Sequence, residues 1–372
     1  GDECLFKRAC PSGGYILLIV HVDDALIAGC GTTDAELHEV HAMLSRALNG
    51  MLKTTVKPAV FLGTGISIGS SHPKADGDGG SPEGGFEMAG TGSRGVNIDV
   101  APVAEGDAAA AVGISLHCAD HIAAAGATFL PGGYACATDT RVPLASSHYD
   151  AIAGGQWEPL PPGDPAYAYF RRLVGTLSFI CSCCRPDIAF AVHYLSRHQT
   201  LLGKVHVAAA RHTLRYLLQS RHVGLHFSPH ARTQPVVTGD VPVSERTAAR
   251  APIDPDSLII YHDATYCSEV QDSSSNTAVL ATINGTPIWW QSSHNRNVCR
   301  SSTESEAHSC DVALRWLEIS KTLLESIAGL CPTAARRLAS PTWVLTDNSG
   351  LRDIANTPED RVQQTLRHIR TR

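Results

Sequence analysis

Leu258-Ile-Ile-Tyr-His-Asp263-Ala, Ser301-Ser-Thr-Glu-Ser-Glu306-Ala and Trp343-Val-Leu-Thr-Asp347-Asn are the stretches that decide how this chain folds. The first is an apolar run that reads as a strand, Leu258 to Cys267, with Asp263 near its end. The second lies in the opening turns of a long helical pattern. Thr303 and Glu306 have capping-box spacing, and Ala307, Cys310, Leu314 and Leu317 supply the apolar stripe. The third is another short apolar strand, closed by Asp347. Metal-assisted hydrolysis of a phosphodiester needs carboxylates gathered from separate elements, because two divalent cations about 3.5–4 Å apart share acidic ligands. One strand Asp means little; strand, helix and strand-end carboxylates together point to that chemistry.

Working outward, Asn276 to Ile283 and Pro287 to Gln291 read as two strands joined by an Asn284-Gly285 turn, and Gly329 ends the helix. Residues 258–372 thus run strand, strand, strand, helix, strand, helix, an α+β pattern with a mixed sheet. Residues 229–257, rich in Pro and charge, read as a linker. Before it, residues 114–228 carry helices: Pro186 opens one with Ile188, Val192 and Leu195 on its buried face. Another, about Val205 to Leu218, buries Val207, Ala210, Leu214 and Leu217, while Lys204, Arg211 and Arg215 make a basic stripe on a different face. Residues 131–165, rich in Pro and Gly, read as loose chain. Eleven glycines among residues 69–113 predict a disordered insertion, since such a stretch buries too little apolar surface to offset its ordering entropy. In residues 1–68, Tyr15 to Gly29 reads as a β-hairpin turning at Asp23-Asp24, followed by a helix from Asp34 capped by Thr32 or Thr33. Val60-Phe-Leu-Gly and Ile66-Ser-Ile form a short strand pair.

A hydrophobic content of 43% with 18% charged residues describes a globular chain, and 372 residues allow two or three cores. The longest apolar run, Tyr15 to Val22, stops at Asp23, so no membrane span is expected. Twelve cysteines without scaffold spacing, and no signal peptide, predict reduced thiols in an intracellular protein; Gly at position 1 predicts a piece of a longer chain. The net charge of −6 conceals a local excess: between Arg171 and His222 eight Lys/Arg meet one acidic residue, Asp187. That excess is an electrostatic footprint for a polyanion. Cys181-Ser-Cys-Cys184 lacks a second ligand pair at finger spacing and reads as free thiols, and His38 with His41 as surface residues.

In order along the chain, Leu18-Ile-Val-His-Val-Asp-Asp-Ala-Leu-Ile-Ala-Gly, Phe61-Leu-Gly, Tyr169-Phe-Arg-Arg-Leu-Val-Gly-Thr-Leu, Arg185-Pro-Asp-Ile-Ala-Phe-Ala-Val-His-Tyr-Leu-Ser-Arg, Ser301-Ser-Thr-Glu-Ser-Glu-Ala and Thr346-Asp-Asn resemble the C-terminal part of a copia-type retrotransposon polyprotein. The resemblance implies a truncated reverse-transcriptase palm (1–68), a connection region with basic helices (114–228) and a ribonuclease H-like domain (258–372). It implies that Asp263, Glu306 and Asp347 bind a pair of magnesium ions, with Glu306 preferred over Glu304, and that Asp23 and Asp24 match the polymerase aspartates. Arg171, Arg172, Arg197, Lys204, Arg211 and Arg215 are then the nucleic-acid contacts, with an RNA–DNA hybrid and other segments of a parent polyprotein as partners.

The chain also departs from the family. The palm's other catalytic Asp and the fingers lie upstream of this sequence, and His21 replaces the usual Tyr, so polymerisation is expected to be absent. His368-Ile-Arg370 stands where the family has an Asp two residues after His, so nuclease activity is expected to be weak. The competing expectations are a non-catalytic nucleic-acid-binding remnant, or the decayed product of a pseudogene.

Overall fold

A computed structural model describes residues 5–21, 24–30, 33–47, 60–61, 64–69, 113–131, 140–155, 157–227, 257–266, 274–295, 297–329 and 332–355. The chain opens with an antiparallel sheet, β1 (Leu5–Ala9), β2 (Tyr15–His21) and β3 (Asp24–Cys30), with β2 central. Helix α1 (Asp34–Ala47) covers it through Val40, Leu37 and Leu44 against Cys10 and Ile16. The Thr33 hydroxyl accepts from the Glu36 N–H at 3.3 Å, and the Glu36 carboxylate accepts from the Thr33 N–H at 2.8 Å. That N–H, with the Ser12 hydroxyl and N–H, holds the Glu36 carboxyl down to about 2. Thr33 is therefore the cap.

The second sheet comprises β4 (Val60–Phe61), β5 (Thr64–Gly69), β6 (Gly113–His117) and, after the helices, β7 (Leu225–Phe227), all antiparallel in that order. The pairing of β5 with β6 crosses the boundaries expected at 68 and 114. The insertion between the two strands, residues 70–112, lies outside the described residues, as does nearly all of the 229–257 linker. A Cβ on Gly224 would sit 2.0 Å from the Leu116 carbonyl oxygen, so only glycine lets the chain enter β7 this close to β6.

Five helices follow β6: α2 (Ala119–Phe129), α3 (Ser146–Ala153), α4 (Pro165–Cys184), α5 (Ala189–Ser196) and α6 (Lys204–Gln219), with a 3-10 turn at Pro186–Ile188. Asp164 caps α4 by accepting from the Ala166 N–H at 2.8 Å, with Pro165 at the first helical position. The helix α3 falls inside the stretch expected to be loose, where Ile152 and Tyr149 pack into the core. That core is large and apolar, with Ile122, Phe170, Leu173, Leu177, Leu195 and Leu214 fully enclosed.

The third unit contains β8 (Ile259–Ala264), β9 (Ser275–Ile283), β10 (Thr286–Asn295), α7 (Ser302–Ala328), α8 (Pro332–Ala339), β11 (Trp343–Leu345) and α9 (Ser349–Ala355). Its sheet runs β10-β9-β8-β11, with β8 and β11 parallel and the other pairs antiparallel, so the sheet is mixed and the chain α+β. Asn284 (φ 53°) and Gly285 (φ 70°) both take left-handed backbone between β9 and β10, as a two-residue hairpin turn requires. Trp289 stacks on Trp316 of α7 with ring centroids 3.5 Å apart. The next residue, Trp290, points to the opposite face and packs against the helical core. Among the described residues no helix is long and apolar enough to cross a membrane.

Helix α7 is rotated from its expected phase. Ser305, Glu306, Ser309 and Ala313 face the sheet, whereas Ala307, Cys310, Leu314 and Leu317 are half-buried. Small side chains let the helix approach closely, and their hydroxyls use sheet carbonyls: Ser309 donates to Asp263 O at 2.9 Å and Ser305 to Thr265 O at 3.2 Å.

Candidate metal centre

Parallel pairing of β8 with β11 aligns their C-terminal ends, with Leu345 opposite Tyr261. Extending that register by two residues sets Asp347 level with Asp263. Glu306 reaches the same end because α7 begins beside it. The helix is capped by Ser301, not Thr303: the Ser301 hydroxyl accepts from the Glu304 N–H at 3.2 Å. Glu304 turns back to accept from the Arg300 N–H at 2.6 Å, so the capping carboxylate is Glu304 and Glu306 is left to face the sheet.

Ligand oxygens of Asp263, Glu306 and Asp347 all lie within 4.8 Å of one another. Asp263 and Asp347 are exposed; Glu306 is 4% exposed. Glu306 Oε1 accepts from the Ala264 N–H at 3.2 Å, while Oε2 is buried without a hydrogen-bond donor. Burial pushes the Glu306 carboxyl up to about 7, opposed by the Ala264 N–H and reinforced by the charges of Asp263 and Asp347. His262 Nδ1 lies 3.6 Å from Glu306 Oε2, beyond hydrogen-bond reach, and it too is buried and unpartnered. Burial lowers the His262 pKa, so its ring is neutral near pH 7. No described cation therefore offsets three converging carboxylates. An unmatched buried oxygen beside two more carboxylates is the donor set that a hard divalent cation takes, so these residues fit magnesium or manganese.

The sequence alone did not single out His262, although it directly precedes Asp263. Nor did it single out Ser309, whose bond to the Asp263 carbonyl ties helix to strand below the site. Asp23 lies outside the described residues; Asp24 begins β3, with its backbone opposite His21. His368, Ile369 and Arg370 are likewise outside them.

The predicted basic residues lie on α4, just after α5 and on α6, and the structure groups some of them around aromatic rings. Arg211 donates to the Tyr169 hydroxyl at 2.9 Å with its guanidinium 4.9 Å from that ring. Arg172 lies 5.7 Å from the Phe129 ring, and the Phe129 and Tyr169 rings meet edge-on at 5.6 Å. Arg171 donates to Gln199 O, and Arg197 stands 5.7 Å from the Tyr194 ring at the far end of α5. Lys204 and Arg215 are exposed on α6. Asp187, the one acidic residue of this stretch, is engaged by Arg185 through both carboxylate oxygens.

No family model matches the chain. No solved structure matches it. Over 189 residues, 51% of this chain, it is 26% identical to the Retrovirus-related Pol polyprotein from transposon RE1 of Arabidopsis thaliana. It is 31% identical over 144 residues to the Retrovirus-related Pol polyprotein from transposon TNT 1-94 of Nicotiana tabacum. The matches cover only 11% and 9% of those two proteins. A further match, 27% identical over 40% of this chain and 92% of the relative, is the Secreted RxLR effector protein 161 of Plasmopara viticola. By sequence the chain is thus similar to a short segment of retrotransposon Pol polyproteins.

Proposed function

We propose that this chain is a fragment of a retrotransposon reverse transcriptase/ribonuclease H whose surviving chemistry is a slow, cation-dependent cleavage of RNA in RNA–DNA hybrids. The reading rests on one observation above all: three carboxylates from β8, α7 and the end of β11 within 4.8 Å, with one buried oxygen unmatched. Asp263, Glu306 and Asp347 would hold magnesium, which when bound acidifies water and neutralises charge on the attacked phosphate. The residues themselves supply placement. The Ala264 N–H fixes one Glu306 oxygen, Ser309 anchors the Asp263 backbone, and the β8–β11 register holds Asp347 alongside. With its carboxyl pushed up to about 7, Glu306 is only about half ionised near pH 7 when alone and gives up the remaining proton when a cation binds. The basic residues around Phe129 and Tyr169 would take up hybrid phosphates.

Slow turnover follows from Arg370, a cation where the resembled family has a carboxylate. For polymerisation only Asp23 and Asp24 correspond, so DNA synthesis is not part of the proposal. Other segments of a parent polyprotein would supply what this chain lacks. The test is incubation of the purified chain with an RNA–DNA hybrid and magnesium. Slow cutting of the RNA strand, lost in Asp263→Asn, is expected; equal cutting by both proteins, or none by either, would overturn the reading. Salt-sensitive binding of hybrid without cutting would select the non-catalytic remnant instead.

A further inference from the structure

The Cys181-Ser-Cys-Cys184 run has no role in the site above, and by sequence it lacks a partner. The structure supplies one. Cys184 closes α4 and Cys118 precedes α2, and their sulfurs lie 3.3 Å apart although 66 positions separate them. Cys118 is 0% and Cys184 1% exposed, and both belong to the large helical core. Cys183, half-buried, also hydrogen-bonds the Cys118 thiol. Cys118, Cys181, Cys183 and Cys184 are free thiols.

We propose that Cys118 and Cys184 are a site of reversible thiol oxidation, forming a disulfide that staples α2 to α4, with Cys183 as the entry thiol. The two sulfurs, 3.3 Å apart, are already closer than a van der Waals contact, on the approach to the roughly 2.05 Å bond. Against the lowering contact of Cys183, the hydrogen bond with Cys184 and burial push the Cys118 thiol up to about 12, so it is a poor first nucleophile toward a solvent-borne oxidant. The less buried Cys183 is the accessible one. With a hydroperoxide as oxidant, the Cys183 thiolate attacks the peroxide, becoming a sulfenic acid as hydroxide leaves. The Cys118 sulfur then attacks it, forming the Cys118–Cys183 bond, with water leaving. The Cys184 thiolate, already against Cys118, exchanges onto Cys118 and releases the Cys183 thiolate. In sum two thiols lose two protons and two electrons, and one peroxide becomes two waters.

The full chain, purified in reductant and freed of it, would be treated with hydrogen peroxide and mapped by non-reducing peptide mass spectrometry. A Cys118–Cys184 crosslinked peptide, lighter by two hydrogens and reversed by dithiothreitol, is expected. Cys184→Ser should abolish that product, and Cys183→Ser should slow it by about tenfold or more without abolishing it. The oxidised wild type should melt roughly 5–10 °C higher, because a long loop is closed. Three results would overturn the proposal: both thiols still alkylated after oxidation and unfolding, a stable Cys183–Cys184 bond as the product, or a bound zinc ion protecting the cluster. Wild-type mapping alone decides the matter if the serine variants fail to fold.

Discussion

Among the described residues the helical body and the C-terminal sheet unit each bury one charged side chain, and they treat it in opposite ways. Arg185, fully enclosed, meets Asp187 with both carboxylate oxygens at 2.9 and 2.7 Å. It also donates to Ser220 O and Oγ and lies against the Tyr216 ring. Burial opposes its charge, but Asp187 outweighs that and raises its pKa, while Arg185 in turn lowers that of Asp187. Glu306 has one N–H, two neighbouring carboxylates and an unmatched oxygen. A matched buried charge holds a fold together; an unmatched one stores free energy that a ligand can release.

Breaking the matched charge should have the largest effect. Asp187→Ala leaves the Arg185 guanidinium buried without its carboxylate and should cost about 3–5 kcal/mol in urea unfolding. A loss no larger than that of a surface substitution would put Arg185 and Glu306 in the same class.

The next effect has the opposite sign. Glu306 has a folded pKa of about 7 against 4.5 for the unfolded group, so the native state binds the extra proton between those values. Cation-free protein should therefore lose stability as pH rises from about 4.5 through 7, by roughly 3 kcal/mol, and level off above it. In Glu306→Gln that slope should flatten, and at pH 8 the variant should be more stable than wild type in chelator. An unchanged pH slope in the variant would mean that Glu306 is not the strained group.

How much of this was legible in sequence differs between the two regions. The Asn284-Gly285 hairpin and a cap at Thr32 or Thr33 could be read because each rests on local chemistry at fixed spacing. Asp263, Glu306 and Asp347 lie on separate elements and were joined by their settings and the family resemblance, and their oxygens meet within 4.8 Å. The α7 cap could not be assigned uniquely: Ser301/Glu304 and Thr303/Glu306 have identical spacing, and only the sheet's demand for Glu306 decides between them. The buried face of α7 was missed because serines and an alanine form it, where apolar periodicity looks for leucines. The β5–β6 pairing joins strands separated by residues 70–112, a non-local contact that no window of sequence reports. In the helical body, α3 hid among Pro and Gly because it fully buries only Ile152, with Tyr149 packed beside it.

Smaller effects sharpen the contrast. Ser309→Ala removes the hydroxyl that ties α7 to the Asp263 carbonyl and should cost about 1 kcal/mol in thermal or urea unfolding. An Arg211→Ala change should alter stability little but weaken RNA–DNA hybrid binding and reduce its log–log salt slope by roughly 0.9, the share of one phosphate contact. An unchanged slope would remove α6 from the nucleic-acid surface.

The most direct measurement is manganese binding at pH 7.5, followed by electron paramagnetic resonance of the free ion, in wild type and in Asp263→Asn, Glu306→Gln and Asp347→Asn. Saturable binding by wild type, weakened about tenfold or more in each variant, is the expected result. Binding that is absent from wild type, or equal in all four folded proteins, would mean that the three carboxylates meet without forming a cation site.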